Sequence, residues 1–311
     1  MKNYILLYND KNILWVKNML DFRVYTFLEV CREMNYTRAA SELNITQPNV
    51  TQHIRYLENC FGQKLFRMNG KKLVLTQAGE LLKEVATAMC REEQALKSKM
   101  MDSREQNLSF GITKSINESS LKKSVVSFLK KYADRHVRFC VNNTEHLLWE
   151  MENLEMDFAI VEGNYDREKF DSVILSRENF IAVRGKDYPL KAFHGNMRDL
   201  LGECLILREQ GSGTREILES MLHVRNIGLK NFESVAEIGE VSAIKELVKE
   251  GCGITFLYET AARKELESGE LVRIPLEDFT LEHEFAFIWP RTAFDGEFFR
   301  QIANRFFLNR G

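Results

Sequence analysis

The chain has no C-x-x-C pair, and none of its six cysteines (Cys31, Cys60, Cys90, Cys140, Cys204, Cys252) has a histidine at metal-ligand spacing. That argues against a zinc ribbon or dithiol redox motif and leaves buried, reduced thiols as the expectation. No apolar run is long enough to span a membrane. The opening MKNYILLYNDKNILWVKN is no secretory signal, since Ile5–Leu7 is short and Asp10–Lys11 interrupts it. There is no G-K-[ST] phosphate loop and no G-x-S-x-G elbow, and the histidines form no triad or metal pattern, so no enzyme, cofactor or metal is expected. A large charge of one sign is also lacking. The net charge is −2, yet residues 1–75 carry +5 and the remainder −7. A basic head on an acidic body suits a protein that meets nucleic acid with one end. A length of 311 residues allows two or three domains with real cores.

The most informative stretch is YTRAASELNITQPNVTQHIRYL, Tyr36 to Leu57. It reads as two short helices about a tight corner at Asn44–Ile45. Thr37 is expected to cap the first, and Ala39, Ala40 and Leu43 to share its inner face. Thr46 caps the second, with Pro48 in its first turn, where a missing N–H costs nothing. Val50, Ile54 and Leu57 repeat at i, i+4, i+7 and point inward. Gln47, Asn49, Thr51, Gln52, His53 and Arg55 are left near or on the outer face. Amides can pair with base edges, while an arginine and a helix N-terminus can hold phosphates. A helical hairpin with a solvated polar face is the plain alternative. Before the pair, Asp21 to Met34 reads as a helix packing Phe27, Val30, Cys31 and Met34 behind it.

After Gly62 comes KLFRMNGKKLVLT, two β-like runs around Asn69-Gly70, with Lys64, Arg67, Lys71 and Lys72 clustered there. A basic hairpin following a helix-turn-helix is a wing that can lie along the DNA backbone. Here the sequence resembles the LysR-type transcriptional regulators. The residues that carry the resemblance are Ala39-Ala40, Leu43, Thr46-Gln47-Pro48, Val50, Leu57-Glu58, Gly62, Leu65-Phe66 and the LT-x-AG of Leu75 to Gly79. Where the family usually has an arginine two places after Leu-Phe, this chain has Met68, with Arg67 beside it. Residues 1–18 lie upstream of the resemblance and are expected to be an extension or a start placed too early, with Met19 as the true first residue.

The resemblance implies a winged helix-turn-helix over 19–76, a linker and dimerisation helix with hinge over 77–106, and a two-lobed α/β effector domain like periplasmic binding proteins over 107–311. Lobe I would hold about 107–177 and 280–311, and lobe II about 178–279. The DNA-binding set is Thr37, Arg38, Thr46, Gln47, Pro48, Asn49, Thr51, Gln52, Arg55, Arg67, Lys71 and Lys72. The implied partners are double-stranded DNA with a pseudo-palindromic site, a second copy of the chain or three further copies, a small effector and RNA polymerase, in the cytoplasm, with no membrane. Cys204 and Cys252 stand far apart in sequence, which speaks against the cysteine-pair oxidant sensing found in part of the family.

From Thr76 to about Arg104 there is no proline. Leu82, Val85/Ala86, Met89, Glu93, Leu96 and Met100 approximate a 3–4 repeat, which predicts a long helix whose seam meets a partner or its own domain. Ser98 to Asn107 is polar and reads as the hinge.

The rest alternates strand and helix. Strands are expected at 107–112, 137–142, 157–162, 172–176, 180–184, 204–207, 234–238, 254–257 and 284–289. Helices are expected at 118–131, 144–153, 214–225, 241–250 and 295–308. This is α/β with a parallel sheet. In such sheets ligands bind beyond the carboxyl ends of strands, at helix N-termini. Four ends qualify: Thr113-Lys114-Ser115; Glu162-Gly163; the run Arg208-Glu209-Gln210-Gly211-Ser212-Gly213-Thr214-Arg215; and Glu240-Val241-Ser242. The third looks like the RE-x-GSGTR run of one branch of the family, where that loop faces the effector cleft. Its glycines would admit backbone close to a ligand, and Ser212 and Thr214 would help hold an oxyanion. A lysine and hydroxyls facing this helix start favour a small anion. A plain turn and helix cap is the alternative for GSGT. A free-standing solute-binding protein is the other class considered; it would need neither the Thr46-Gln47-Pro48 helix nor the wing.

Overall fold

The computed structural model describes residues 4–6, 15–17, 19–100, 107–119, 122–293 and 296–308. The chain divides into two compact units near residue 103. In the 1–18 segment, Tyr4–Leu6 (β1) and Trp15–Lys17 (β2) pair antiparallel, and the rest lies outside the described residues. Most of the expected hinge, 101–106, does so too.

The first unit is built on three helices. Phe22–Glu33 (α1) starts at Asp21, whose carboxylate accepts from the Arg23 N–H, and ends at Met34 with φ 44°. Tyr36–Glu42 (α2) is capped by Asn35, whose side chain accepts from the N–H groups of Thr37 and Arg38. Thr37 is therefore inside the helix and not its cap: two candidates two residues apart compete, and Asn35 has the extended backbone a cap needs. Gln47–Phe61 (α3) begins at Thr46, whose hydroxyl accepts from the Asn49 N–H at 3.4 Å, and ends at Gly62. Phe27, Val30, Ala39, Ala40, Val50, Ile54 and Leu57 form one core. The two alanines let α2 lie close to its neighbours.

Phe66–Asn69 (β3) and Lys72–Leu75 (β4) form the wing. Asn69 pairs with Lys72, so the turn dipeptide is Gly70–Lys71, one place beyond Asn69-Gly70. Gly70 takes φ 61°, the position where a type II′ turn places glycine. Gln77–Met100 (α4) follows. Its inner side holds Ala86, Thr87, Cys90 and Glu93, while Leu81, Val85, Met89 and Leu96 are exposed. The expected seam thus mixed two stripes. Glu93 faces inward, accepting from the Tyr25 hydroxyl and the Met19 N–H and pairing with Lys97 at 2.7 Å. The side chain of Met100 lies outside the described residues.

The second unit is a nine-stranded mixed sheet flanked by helices. In chain order come Leu108–Thr113 (β5), Lys114–Asn117 (α5), Lys122–Lys131 (α6), Val137–Asn142 (β6), Thr144–Glu152 (α7), Phe158–Val161 (β7) and Phe170–Gly185 (β8). Then follow Cys204–Leu207 (β9), Gly213–Val224 (α8), Ser234–Glu237 (β10), Val241–Lys249 (α9), Ile254–Tyr258 (β11), Arg263–Ser268 (α10), Leu271–Arg273 (β12), Glu282–Pro290 (β13) and Gly296–Ile302 (α11). The order across the sheet is β10-β9-β11-β8-β13-β7-β5-β6, with β12 also on β8. Pairs within each lobe's repeat are parallel, but β8 and β13 run antiparallel to their neighbours. The expectation of a parallel sheet holds only outside the crossing strands.

The two strands expected at 172–176 and 180–184 are one 16-residue strand, β8. Its first part pairs with β13 and its last part with β11, so it belongs to both lobes. Phe110, Phe128, Phe158 and Phe287 pack in one lobe, with Phe110 stacked on Phe158 at 4.9 Å. Ile181, Val183, Ile206, Ile244, Val248 and Leu257 fill the other. The helix expected at 118–131 appears as α6, Lys122–Lys131, with the separate short α5 before it, and the last helix passes into a π-helical turn over Ala303–Leu308. The short α10 and β12 were not foreseen, since six and three residues carry too little periodicity.

Candidate functional site

In the first unit the outer side of α3 presents Gln47, Pro48, Asn49, Gln52 and Arg55 as exposed residues, with Thr46 exposed at the cap and Thr51 half-buried. The Gln47 amide donates to the Thr51 hydroxyl at 3.0 Å, and that hydroxyl donates to the Gln47 carbonyl at 3.2 Å. Gln47 is thereby held on this side of the helix. His53 does not belong to the face. Its Nδ1 lies 3.0 Å from the Thr26 hydroxyl, and its ring meets Phe22 edge-on at 4.9 Å. Burial, then the neighbouring Arg23, push its imidazole below the ordinary value, against Asp21. Thr37 and Arg38 are exposed at the start of α2, where Arg38 donates to the Glu33 carbonyl at 3.3 Å.

On the wing, Arg67, Lys71 and Lys72 are exposed, and none is in an ion pair among the described residues. Arg67 pairs with Val74 and Asn69 with Lys72, so Arg67 and Lys72 share one face of the hairpin. Met68 points to the other face with Leu73, so Arg67 does not occupy the place of the family's arginine. Lys64 is diverted: it pairs with Glu58 at 2.7 Å, and Glu58 also accepts from the Leu65 N–H at 3.1 Å.

In the second unit the ends of β5, β7 and β9 bring most of the expected residues together. The Glu162 carboxylate, 1% exposed, accepts from the hydroxyls of Thr113 and Thr214. Thr214 is 2.7 Å from the Ser115 hydroxyl, which accepts from Arg208 at 3.2 Å. Thr113, Ser115, Arg208, Ser212 and Thr214 are all buried. Lys114 donates to the Gly239 carbonyl at 2.8 Å and pairs with Glu240 at 3.0 Å and Glu209 at 3.5 Å.

The glycines lie at close approaches within this group. Gly163, at φ 98°, lies so near Gly213 that a Cβ would be 2.8 Å from its Cα, and a Cβ on Gly213 would be 2.3 Å from the Glu162 carbonyl. A Cβ on Gly211 would meet the Glu145 carboxylate at 2.3 Å, and its carbonyl accepts from the Glu145 N–H at 3.1 Å. Gly163 and Gly213 let the backbones of the two lobes approach each other closely here. Gln210 is exposed, with its carbonyl 3.5 Å from Asn143 Nδ2. Ser242 is exposed in the first turn of α9, and no hydrogen bond joins it to this group.

Sequence reasoning named Glu209 within its run without a partner, and missed Thr144, Tyr258 and His283. Glu209 grips Arg208 through two hydrogen bonds of 2.8 and 3.0 Å. Burial opposes ionisation, yet the Arg208 guanidinium holds the Glu209 carboxyl below its ordinary value. Thr144 donates to the Glu162 carbonyl at 2.9 Å. The hydroxyl of Tyr258 and Nδ1 of His283 are buried without a partner, as is the Ser212 hydroxyl. The sequence signal for Tyr258 was a polar tip ending an apolar strand, ITFLY. Of the six cysteines, Cys60 and Cys252 are exposed, against the expectation of burial.

Two surface cavities lie elsewhere in this unit. One of about 610 Å³ is lined by Phe180, Phe193, Arg273 and Phe279 among others, and one of about 450 Å³ by Arg177, Glu259 and Arg263 among others.

Comparison with known proteins agrees with both halves. Residues 23–80 match the family "Bacterial regulatory helix-turn-helix protein, lysR family", and residues 102–305 match "LysR substrate binding domain". The chain is 26% identical over 267 residues to the HTH-type transcriptional regulator CysL of Bacillus subtilis strain 168, covering 85% of this chain and 88% of that protein. It is 29% identical over 281 residues to the RuBisCO operon transcriptional regulator of Acidithiobacillus ferrooxidans, covering 85% of each. Its fold is similar to the crystal structure of ArgP from Mycobacterium tuberculosis, with a TM-score of 0.65 and 15% identity, over 92% of this chain and 96% of that one. The chain belongs to the LysR family of transcriptional regulators, a DNA-binding regulator with an effector domain and not an enzyme.

Proposed function

We propose that α3 enters the major groove with Gln47, Asn49 and Gln52 against base edges, while Thr46, Arg55, Lys71 and Lys72 hold phosphates, with Thr37, Arg38 and Arg67 at the margins. What carries this reading is the outer face of α3: exposed amides, held in part by Thr51, beside Arg55, in no ion pair among the described residues. Two copies pair along the exposed stripe Leu81, Val85, Met89 and Leu96 of α4, so the DNA site is a pseudo-palindrome. A small effector with an anionic group binds between the lobes, at Thr113–Ser115, Glu162–Gly163 and Arg208–Thr214. It shifts a population of lobe arrangements and so alters action on RNA polymerase in the cytoplasm.

Selection of bound duplexes from a random pool tests the DNA half. The expected result is a two-fold symmetric sequence with half-sites one helical turn, roughly 10 base pairs, or a multiple apart. A single asymmetric site would sink the paired arrangement.

A further inference from the structure

The centre of the lobe interface holds a buried acid with no ion pair among the described residues; the basic group that it acts on is the His283 imidazole, which burial keeps below its ordinary basicity. Glu162 is 1% exposed, and its carboxylate takes only the hydroxyls of Thr113 and Thr214. Among the described residues no lysine, arginine or histidine pairs with it. Both cations nearby are engaged: Arg208 by Glu209, and Lys114 by Glu209, Glu240 and the Gly239 carbonyl. Two hydroxyls on the other side of the interface, those of Ser212 (3% exposed) and Tyr258 (0%), are buried with no hydrogen-bond partner. Glu162 acts on the Tyr258 hydroxyl, which burial and this carboxylate together push well above its ordinary value.

A desolvated carboxylate met only by hydroxyls is costly, and idle buried hydroxyls add to that cost. An effector carrying nothing but negative charge would worsen it. A primary ammonium would relieve it: it offers three N–H donors, and Glu162 with the idle hydroxyl oxygens provides acceptors for them. Resting on the reading that the effector binds between the lobes, we infer that this effector also carries a positively charged nitrogen that pairs with Glu162, making it a small zwitterion of the amino-acid type. Its carboxylate is received on the Lys114 and Arg208 side, in competition with Glu209, and its ammonium at Glu162.

The test is thermal-shift titration of the full chain with the twenty standard L-amino acids. Each one that binds is then compared with its deaminated carboxylate and its decarboxylated amine. At least one amino acid should bind, with both truncated counterparts weaker by tenfold or more. Glu162→Gln keeps the shape and removes the charge. It should melt no lower than the parent without ligand, and should lose tenfold or more in affinity for the amino acid but not for the carboxylate. A carboxylate that binds as tightly as its amino acid, or Glu162→Gln with unchanged affinity, would overturn the inference. If carboxylates bind and Ser212→Ala weakens them, the site between the lobes stands and only the ammonium falls. If neither amino acids nor carboxylates shift the melting of the folded chain, both fall.

Discussion

Gly79 lies against the Leu65 carbonyl so closely that a β-carbon on it would sit 2.1 Å from that oxygen. The same carbonyl accepts from the Thr76 N–H at 3.0 Å, and the Thr76 hydroxyl donates to the Lys64 carbonyl at 2.6 Å while accepting from the Gly79 N–H at 3.0 Å. The LT-x-AG motif is thus a clasp that fixes the first turn of α4 to the entry of the wing. Gly79→Ala should cost about 1–3 kcal/mol, because the obstruction is backbone and no rotamer relieves it. Urea unfolding of the full chain followed through the first unit checks this; an unchanged midpoint would mean that the clasp can slide.

Gln47→Ala should cost roughly 1–3 kcal/mol on the selected DNA site and much less on random duplex. Equal loss on both would make Gln47 a positioning residue. Lys72→Ala should weaken both and lower the salt slope by about one. Competition binding at several salt concentrations separates the two behaviours.

The depressed basicity of His53 makes the first unit sensitive to acid. The fold favours the neutral imidazole, whereas the unfolded chain takes up a proton near its ordinary value of about 6.5. The stabilisation is complete above that pH and is lost as the pH falls from there toward the lower folded value. Melting should therefore drop between about pH 7.5 and 5.5, and His53→Gln should flatten the drop. His283 in the other unit is also depressed by burial, so the comparison is parent minus variant at each pH. Parallel curves would show that His53 titrates alike in both states.

Thiol chemistry should divide by burial. Burial pushes Cys31 up to about 12, and Cys90 and Cys140 up to about 11, the last with help from Glu150. Iodoacetamide at neutral pH should label the exposed Cys60 and Cys252 first, as read by peptide mass. Prompt labelling of Cys31 would reveal opening of the three-helix core.

The helices and strands were legible because burial is periodic along each: Val50, Ile54 and Leu57 announce the inner face of α3, and the apolar ITFL announces a strand. The cap of α2 falls on Asn35 and not on Thr37: both residue types cap helices, asparagine the better of the two, and Asn35 has the extended backbone. β8 was read as two strands because Arg177-Glu178-Asn179 looks like a turn, yet it is the solvated middle of one strand. At the proposed effector site the residues were legible but their partners were not. Gly163 meets Gly213, and Glu162 meets Thr214, only after folding brings distant segments together. That Glu209 would close on Arg208 rather than leave it to a ligand depends on loop geometry that adjacency in sequence does not reveal.

The two segments that pass between the lobes, β8 and β13, are hydrogen-bonded to each other from Asn179 opposite Glu282 to Phe170 opposite Pro290, with an irregularity between Phe285 and Ala286. Over Ser176–Asn179 and Glu282–Phe285 these strands pair with each other alone among the described residues; such a two-stranded ribbon twists more than a wide sheet, and an irregular pairing is where twist concentrates. Signal passing between the lobes should therefore travel as torque. Were a ligand to bind between the lobes, twisting of this ribbon about its own axis would be the motion that the pairing opposes least.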